Sequence, residues 1–504
     1  MSDELKAFER LATGVHGLDE ILNGGLIVGG TYLVMGRPGS GKTILANQIA
    51  YSHVAGGGRA LYVTLLAESH AWLISTLQEM SFFREEALGG ALQYISGYQA
   101  LEKEKLDGLT RLLRKIVRDH RASLLVIDGL VTAGAMADTE LELKKFIHEL
   151  QSLIELVGCT TLLLTGAKGS DANYPERTMV DGLFQLTTKR IGMRTVRELE
   201  IEKHRGSSHV LGASFFEISS DGIRIFGRTE AMVGAALVQQ ATDTSKLATG
   251  ISSLDSMLSG GLPSGSTAML LGSSGSGKTL LGLHFLNAGA HLGERALYFG
   301  FFEAPSRLVA KAKSVDLDLA AAIDDGRIEM QWRAPQELLA DRAAEELLTT
   351  VRRRSIKRVF IDGLDGFRSC VIYPERTGPF FTALSNELRS IGATTLASEE
   401  TLGLYGCPEK DISLNGVSSM MDTIILLRYV ELRTQLHRFI SIMKMREGRY
   451  DTSLREFQID ESGFHIAESS ESARAILADD HRTRDSELGP TMQGTAPAHR
   501  RGSR

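Results

Sequence analysis

GRPGSGKT at residues 36–43 and GSSGSGKT at residues 272–279 are two spellings of one pattern, a glycine-rich stretch leading into Lys-Thr. Each follows an apolar β-type run, TYLVM (31–35) or TAMLL (267–271). Each precedes a run of helical character, ILANQIAYSHV (44–54) or LLGLHFLNAGA (280–290). Glycines in such a turn let backbone N–H groups point inward, where a side chain would obstruct them. The following helix adds the positive end of its dipole. The pattern therefore predicts a phosphate-binding loop, and it predicts it twice.

In the first loop the candidate nucleotide-binding residues are Gly36, Gly39, Ser40, Gly41, Lys42 and Thr43. In the second they are Gly272, Ser273, Gly275, Ser276, Gly277, Lys278 and Thr279. Lys42 and Lys278 offer a cation to the β and γ phosphates, and Thr43 and Thr279 a hydroxyl to Mg²⁺. Asp128 and Asp362 close the apolar runs LLVID and RVFID, at the strand end where open α/β sheets bind ligands. A carboxylate there holds the water shell of Mg²⁺. A helix N-cap is the bland alternative, since Gly-Leu follows both aspartates.

Around the loops the two halves match at length. TGVHGLDEILNGGLIVGGTYLVMGRPGSGKT (13–43) aligns without a gap on TGISSLDSMLSGGLPSGSTAMLLGSSGSGKT (249–279), and about half the positions are identical. Later landmarks recur in register: ALYVTLL with ALYFGFF, and GCTTLLL with GATTLAS. The repeat unit is of domain size rather than solenoid size. The reading is a first domain over 1–230, a linker over 231–246, a second domain over 247–467 and a flexible polar tail over 468–504. Within each unit, continuously apolar strands alternate with amphipathic runs such as LTRLLRKIVRDH, the signature of a doubly wound α/β domain with a mainly parallel sheet. RTVRELEIEKHRG (194–206) and LHRFISIMKMREG (436–448) read as strands of an antiparallel extension.

The bulk composition excludes several classes. A hydrophobic fraction of 43% and a charged fraction of 23% are those of an ordinary globular chain. No apolar run reaches the roughly 20 residues a membrane helix needs, and the acidic start MSDELKAFER is no secretory signal. Cys159, Cys370 and Cys407 match no metal spacing and read as reduced thiols of a cytoplasmic protein. A net charge of −6 gives nucleic acid nothing global to bind.

Tandem P-loop domains, each opened by TG-x-x-x-LD-x-x-L-x-GG-L, resemble the KaiC family of circadian-clock ATPases and autokinases, over about residues 11–467. The resemblance implies two RecA-like P-loop NTPase domains that use ATP and Mg²⁺. Members of that family carry two adjacent glutamates after the second strand, one of which activates the attacking water or hydroxyl. Here LLAES places Ala67 and Glu68 in those positions, and FFEAP places Glu303 and Ala304. Each half keeps one carboxylate of the pair, so Glu68 and Glu303 are the candidate catalytic residues. If the stretch continues as a strand, Ala67 and Glu68 face opposite sides.

The resemblance further implies contacts made across subunits. EKHRGSSH (202–209) is similar to the family run that reaches a neighbour's nucleotide, through Lys203, Arg205 and His209. KMREG places Lys444 and Arg446 likewise in the second half. The implied assembly is a homo-oligomer, a hexameric ring in two tiers, with protein regulators received through the C-terminal tail. Ser418 and Ser419 lie where the family carries its autophosphorylated serine and threonine, and the first half offers only Thr178 there. Two further readings stand beside the ATPase and autokinase: a DNA-dependent RecA-type motor, and an ATP-locked scaffold without chemistry.

Overall fold

The computed structural model describes residues 8–66, 70–166, 175–232, 245–401, 420–432 and 435–474. The chain divides into two compact units, 1–234 and 235–504. The first unit carries strands β1 (Arg10–Leu11), β2 (Leu26–Ile27), β3 (Thr31–Gly36), β4 (Ala60–Thr64), β5 (Leu92–Ser96) and β6 (Leu124–Asp128). It continues with β7 (Thr160–Gly166), β8 (Gly182–Ile191), β9 (Arg194–His204), β10 (Ala213–Ser219) and β11 (Gly222–Phe226). β1 and β2 form a small separate pair, and the others make one nine-stranded sheet in the order β11-β10-β9-β8-β3-β7-β6-β4-β5. From β8 to β5 every neighbouring pair is parallel, whereas β9, β10 and β11 add on antiparallel.

The second unit repeats this order. Its strands are β12 (Lys246–Leu247), β13 (Leu262–Pro263), β14 (Thr267–Gly272), β15 (Ala296–Gly300), β16 (Ile328–Trp332) and β17 (Arg358–Asp362). β18 (Thr394–Glu400), β19 (Thr423–Leu432), β20 (Gln435–Met445), β21 (Arg455–Asp460) and β22 (Gly463–Ile466) follow. Its sheet runs β16-β15-β17-β18-β14-β19-β20-β21-β22, the same arrangement strand for strand. In both units the P-loop strand lies inside the sheet, with the Asp-terminated strand two places away.

Side-chain alternation explains why these strands read as continuously apolar. Tyr32 and Val34 of β3 enter one core cluster while Leu33 and Met35 enter another, so both faces of the sheet are buried. The helix Lys42–Ala55 covers one face through Leu45 and Ile49, each almost fully buried and worth about 2 kcal/mol of apolar burial. Cys159 and Cys370 are buried, and burial pushes the Cys159 thiol up to about 12. Past the residue where the tail was expected to begin, Arg474 N bonds Ser470 O and Ala473 is buried, extending the second unit by a helical turn.

One buried charge runs against the apolar reading of RVFID. The Arg358 side chain is fully buried; its Nε donates to Glu294 Oε2 at 2.6 Å and its Nη1 to the carbonyls of Ala248 and Phe285. The first unit has Leu124 at the same register. Removing one partner of such a pair leaves an uncompensated charge in the core. Glu294→Ala is expected to lower the second unit's stability by about 2–3 kcal/mol, below the range for a fully buried pair because Glu294 keeps some solvent. A denaturant titration of the full chain measures it, and a shift under about 0.5 kcal/mol, the size of an ordinary surface substitution, contradicts it.

Candidate nucleotide-binding sites

Each P-loop follows a sheet strand and ends at the first turn of a 14-residue helix, Lys42–Ala55 or Lys278–His291. The N-cap residues are Gly41 and Gly277, both at φ 103°, a left-handed conformation that favours glycine. A Cβ on Gly41 would meet Ile218 Cδ1 at 2.8 Å, and one on Gly277 would meet Ile459 Cδ1 at 2.7 Å. Neither helix start has a side-chain cap, so its first-turn N–H groups are not spent on one. The hydroxyls of Ser40 and Ser276 are buried and have no hydrogen-bond partner among the described residues. Two uncapped helix starts beside orphaned hydroxyls suit an anion with several oxygens.

The lysines fold back on the loops. Lys42 Nζ donates to the carbonyls of Gly36 (2.7 Å) and Arg37 (3.1 Å), and Lys278 Nζ to those of Gly272 (2.7 Å) and Ser273 (2.8 Å). Burial holds both ammonium groups below the usual lysine range, and the facing acids partly offset it: Asp128 for Lys42, and Glu400, Asp362 and Asp365 for Lys278. A partly desolvated cation in a glycine cradle gains by meeting phosphate oxygens.

Asp128 stands where the sequence put it. Its Oδ2 accepts from Thr43 Oγ1 (3.0 Å) and from Tyr62 OH (2.8 Å). Asp362 accepts from Ser398 Oγ (2.6 Å) and Tyr298 OH (3.1 Å), and Thr279 bonds it as well. Burial raises the Asp362 carboxyl, these hydrogen bonds lower it, and Glu303 adds a smaller upward push. The helices after both aspartates have Gly129 and Gly363 as their N-cap residues, so neither aspartate occupies the N-cap position itself. Thr and Asp in contact, with no cage of three or more His, Cys, Asp or Glu among the described residues, fit a Mg²⁺ held largely by phosphate and water.

The glutamate candidates fare unequally. Glu68 lies outside the described residues, as do Ser418 and Ser419. Glu303 lines the second pocket with Lys278, Thr279 and Asp362, and pairs with Lys311 at 3.3 Å. β15 ends at Gly300, so Glu303 lies beyond the strand.

Sequence reading missed an arginine in each site. Arg197 of β9 lines the first pocket beside Gly41, Lys42 and Thr43; Arg438 of β20 lines the second beside Lys278. Arg438 stacks over Tyr429, whose OH donates to Gly275 O at 2.6 Å. Both arginines stand six residues before the lysines Lys203 and Lys444, a recurrence that aligning the halves could have exposed.

The five residues expected to act across subunits do not join the pocket of their own unit. Asp181 N bonds Thr31 O and Arg205 N bonds Asp181 O, so Arg205 sits at the amino end of β3. Asp422 N bonds Thr267 O and Arg446 N bonds Asp422 O, the same placement at β14. The P-loops leave the opposite ends of these strands, at Gly36 and Gly272, about 17 Å away at the rise of a β-strand. Lys203 Nζ points to the Thr178 carbonyl, and His209 packs against the buried His204. Lys444 pairs with Ile424 in the β19–β20 ladder.

Sheet order, paired P-loops and Asp-terminated strands define a tandem P-loop NTPase. A family model for the KaiC ATPase matches residues 11–230 and again 247–471, and the chain belongs to that family. It is 28% identical over 490 residues to the circadian clock oscillator protein KaiC of Rippkaea orientalis, covering 93% of this chain and 91% of the relative. To KaiC of a Picosynechococcus species it is 28% identical over 500 residues (94% and 92%), and to KaiC 1 of a Synechocystis species 27% over 496 (94% and 92%). Among the described residues no helix is long and apolar enough to cross a membrane.

Proposed function

We propose that the protein is a cytoplasmic, ATP-driven regulatory switch of the KaiC type, a two-tiered homo-hexamer that grips ATP and Mg²⁺ between protomers. The observation that carries this reading is the distance between cradle and cations within one chain. Arg205 and Arg446 sit at the strand ends opposite their own P-loops, beyond the reach of an arginine side chain. Cations so placed meet a triphosphate only when a neighbouring protomer presents it. Charge delivered in trans makes turnover depend on assembly.

In this reading Lys42 and Lys278 hold the β and γ phosphates, and the glycine loops with Ser40, Ser273 and Ser276 wrap them. Mg²⁺, held by Thr43 with Asp128 and by Thr279 with Asp362, supplies charge neutralisation on the phosphate oxygens. Lys203, Arg205 and His209, and in the second tier Lys444 and Arg446, complete the neighbour's site. The first unit builds and paces the ring. The second, with Glu303 beside its phosphates, transfers phosphate to Ser418 or Ser419. A phosphate there alters the charge at the protomer boundary. Residues 468–504 offer protein regulators a handle.

Light scattering of the purified chain tests the assembly. With a non-hydrolysed ATP analogue and Mg²⁺ a hexamer is expected, and Lys42→Ala is expected to shift it to smaller species. A monomer that turns over ATP at full rate contradicts the reading.

A further inference from the structure

The two nucleotide pockets differ at one position beside the P-loop strand. In the first unit Gly36 of β3 pairs with Gly166 of β7; in the second, Gly272 of β14 pairs with Glu400 of β18. Where the first pocket has no side chain, the second has a carboxylate. Strand alternation sorts the Glu399-Glu400 pair. Glu399 is buried against Arg368, whereas Glu400 lines the pocket with Lys278, Thr279 and Asp362. Its backbone is anchored: Thr401 N donates to Gly272 O at 3.1 Å, and Glu400 N to Asp365 Oδ2 at 3.4 Å.

The other acids of the pocket are engaged. Asp362 accepts from Ser398, Tyr298 and Thr279; Asp365 is bound to Arg368, and Glu303 to Lys311. The Glu400 carboxylate faces the Lys278 ammonium and takes no hydrogen bond among the described residues. Once a triphosphate draws Lys278 to its oxygens, Glu400, lining the same pocket, is placed to accept a proton there.

We propose that Glu400 is a catalytic carboxylate of the second pocket, orienting the water that attacks the γ-phosphorus and taking its proton. The water oxygen forms the new P–O bond, and the bond from the γ-phosphorus to the bridging oxygen breaks. The electron pair leaves on the nucleoside diphosphate, and the proton goes to Glu400 Oε. This rests on the reading that the second pocket turns over ATP.

Phosphate release and equilibrium binding of a fluorescent ATP analogue, on the full chain with Mg²⁺, test it in four variants: Glu400→Gln, Glu400→Asp, Lys278→Ala and Glu400→Gln with Lys278→Ala. Glu400→Gln is expected to lower the Lys278-dependent turnover by about 100-fold, the lower end for a lost general base. It should bind ATP as tightly or more tightly, since a negative charge beside the phosphates is gone. Glu400→Asp should keep part of the rate, and the double variant should match Lys278→Ala alone. Lys278-dependent turnover within twofold of the parent in Glu400→Gln overturns the role of Glu400 and leaves the pocket's function standing. So does a loss explained by weaker ATP binding, or the same fractional loss in the Lys278→Ala background. A parent chain without any Lys278-dependent turnover overturns both.

Discussion

Lys278→Ala is expected to abolish phosphate labelling of Ser418 and Ser419 when the chain is incubated with labelled ATP and Mg²⁺, and to cut the second unit's turnover by at least about 100-fold. The Lys278 ammonium closes the second glycine cradle, and it does so while partly desolvated and facing three acids. Its loss removes the cation and leaves those acids to repel the incoming phosphates. Lys42→Ala leaves this pocket untouched, because every residue lining it belongs to the second unit. Its labelling should fall only in proportion to the assembly lost, because Arg446 still arrives wherever protomers remain joined. Phosphopeptide mapping reads the result, and persistent labelling in Lys278→Ala contradicts the division of labour between the units.

Arg446→Ala is expected to reduce the second unit's turnover by about 1000-fold, the scale of a lost arginine finger, while an isolated protomer binds nucleotide as before. The fold should survive. Arg446 lies 3.7 Å from Asp422, but that carboxylate also holds Arg389 at 2.6 Å and the Thr267 amide at 3.0 Å, so it is not stranded. A matching loss of thermal stability would assign Arg446 a structural role instead.

The sequence carried the fold because the decisive features are local. A glycine loop between an apolar strand and a helix, met twice, sets the position of β3, β14 and their helices. The runs ending at Asp128 and Asp362 place those carboxylates two strands from the P-loop strand, at the same edge of the sheet. What stayed hidden depends on register across the sheet. Arg197 and Arg438 sit mid-strand with no local motif, and they become site residues only because β9 and β20 fold their antiparallel extension back toward the P-loop. Glu400 closes TTLASEE, a run with little apolar signal, and its meaning comes from facing Gly272. Arg358 opens a strand that otherwise reads as core, and its burial is intelligible only with Glu294 and two carbonyls in view.

Mixing two variants whose second units are inactive gives the most direct test of nucleotide held between protomers. Lys278→Ala lacks the cradle but keeps the cations of its neighbour's site, and Arg446→Ala has the reverse defect. Co-assembled from dissociated protomers at equal amounts, they should recover a clear fraction of parental turnover, because some seams then join an intact cradle to an intact Arg446. A mixture no more active than its two components would place cradle and cation in one chain and contradict the account.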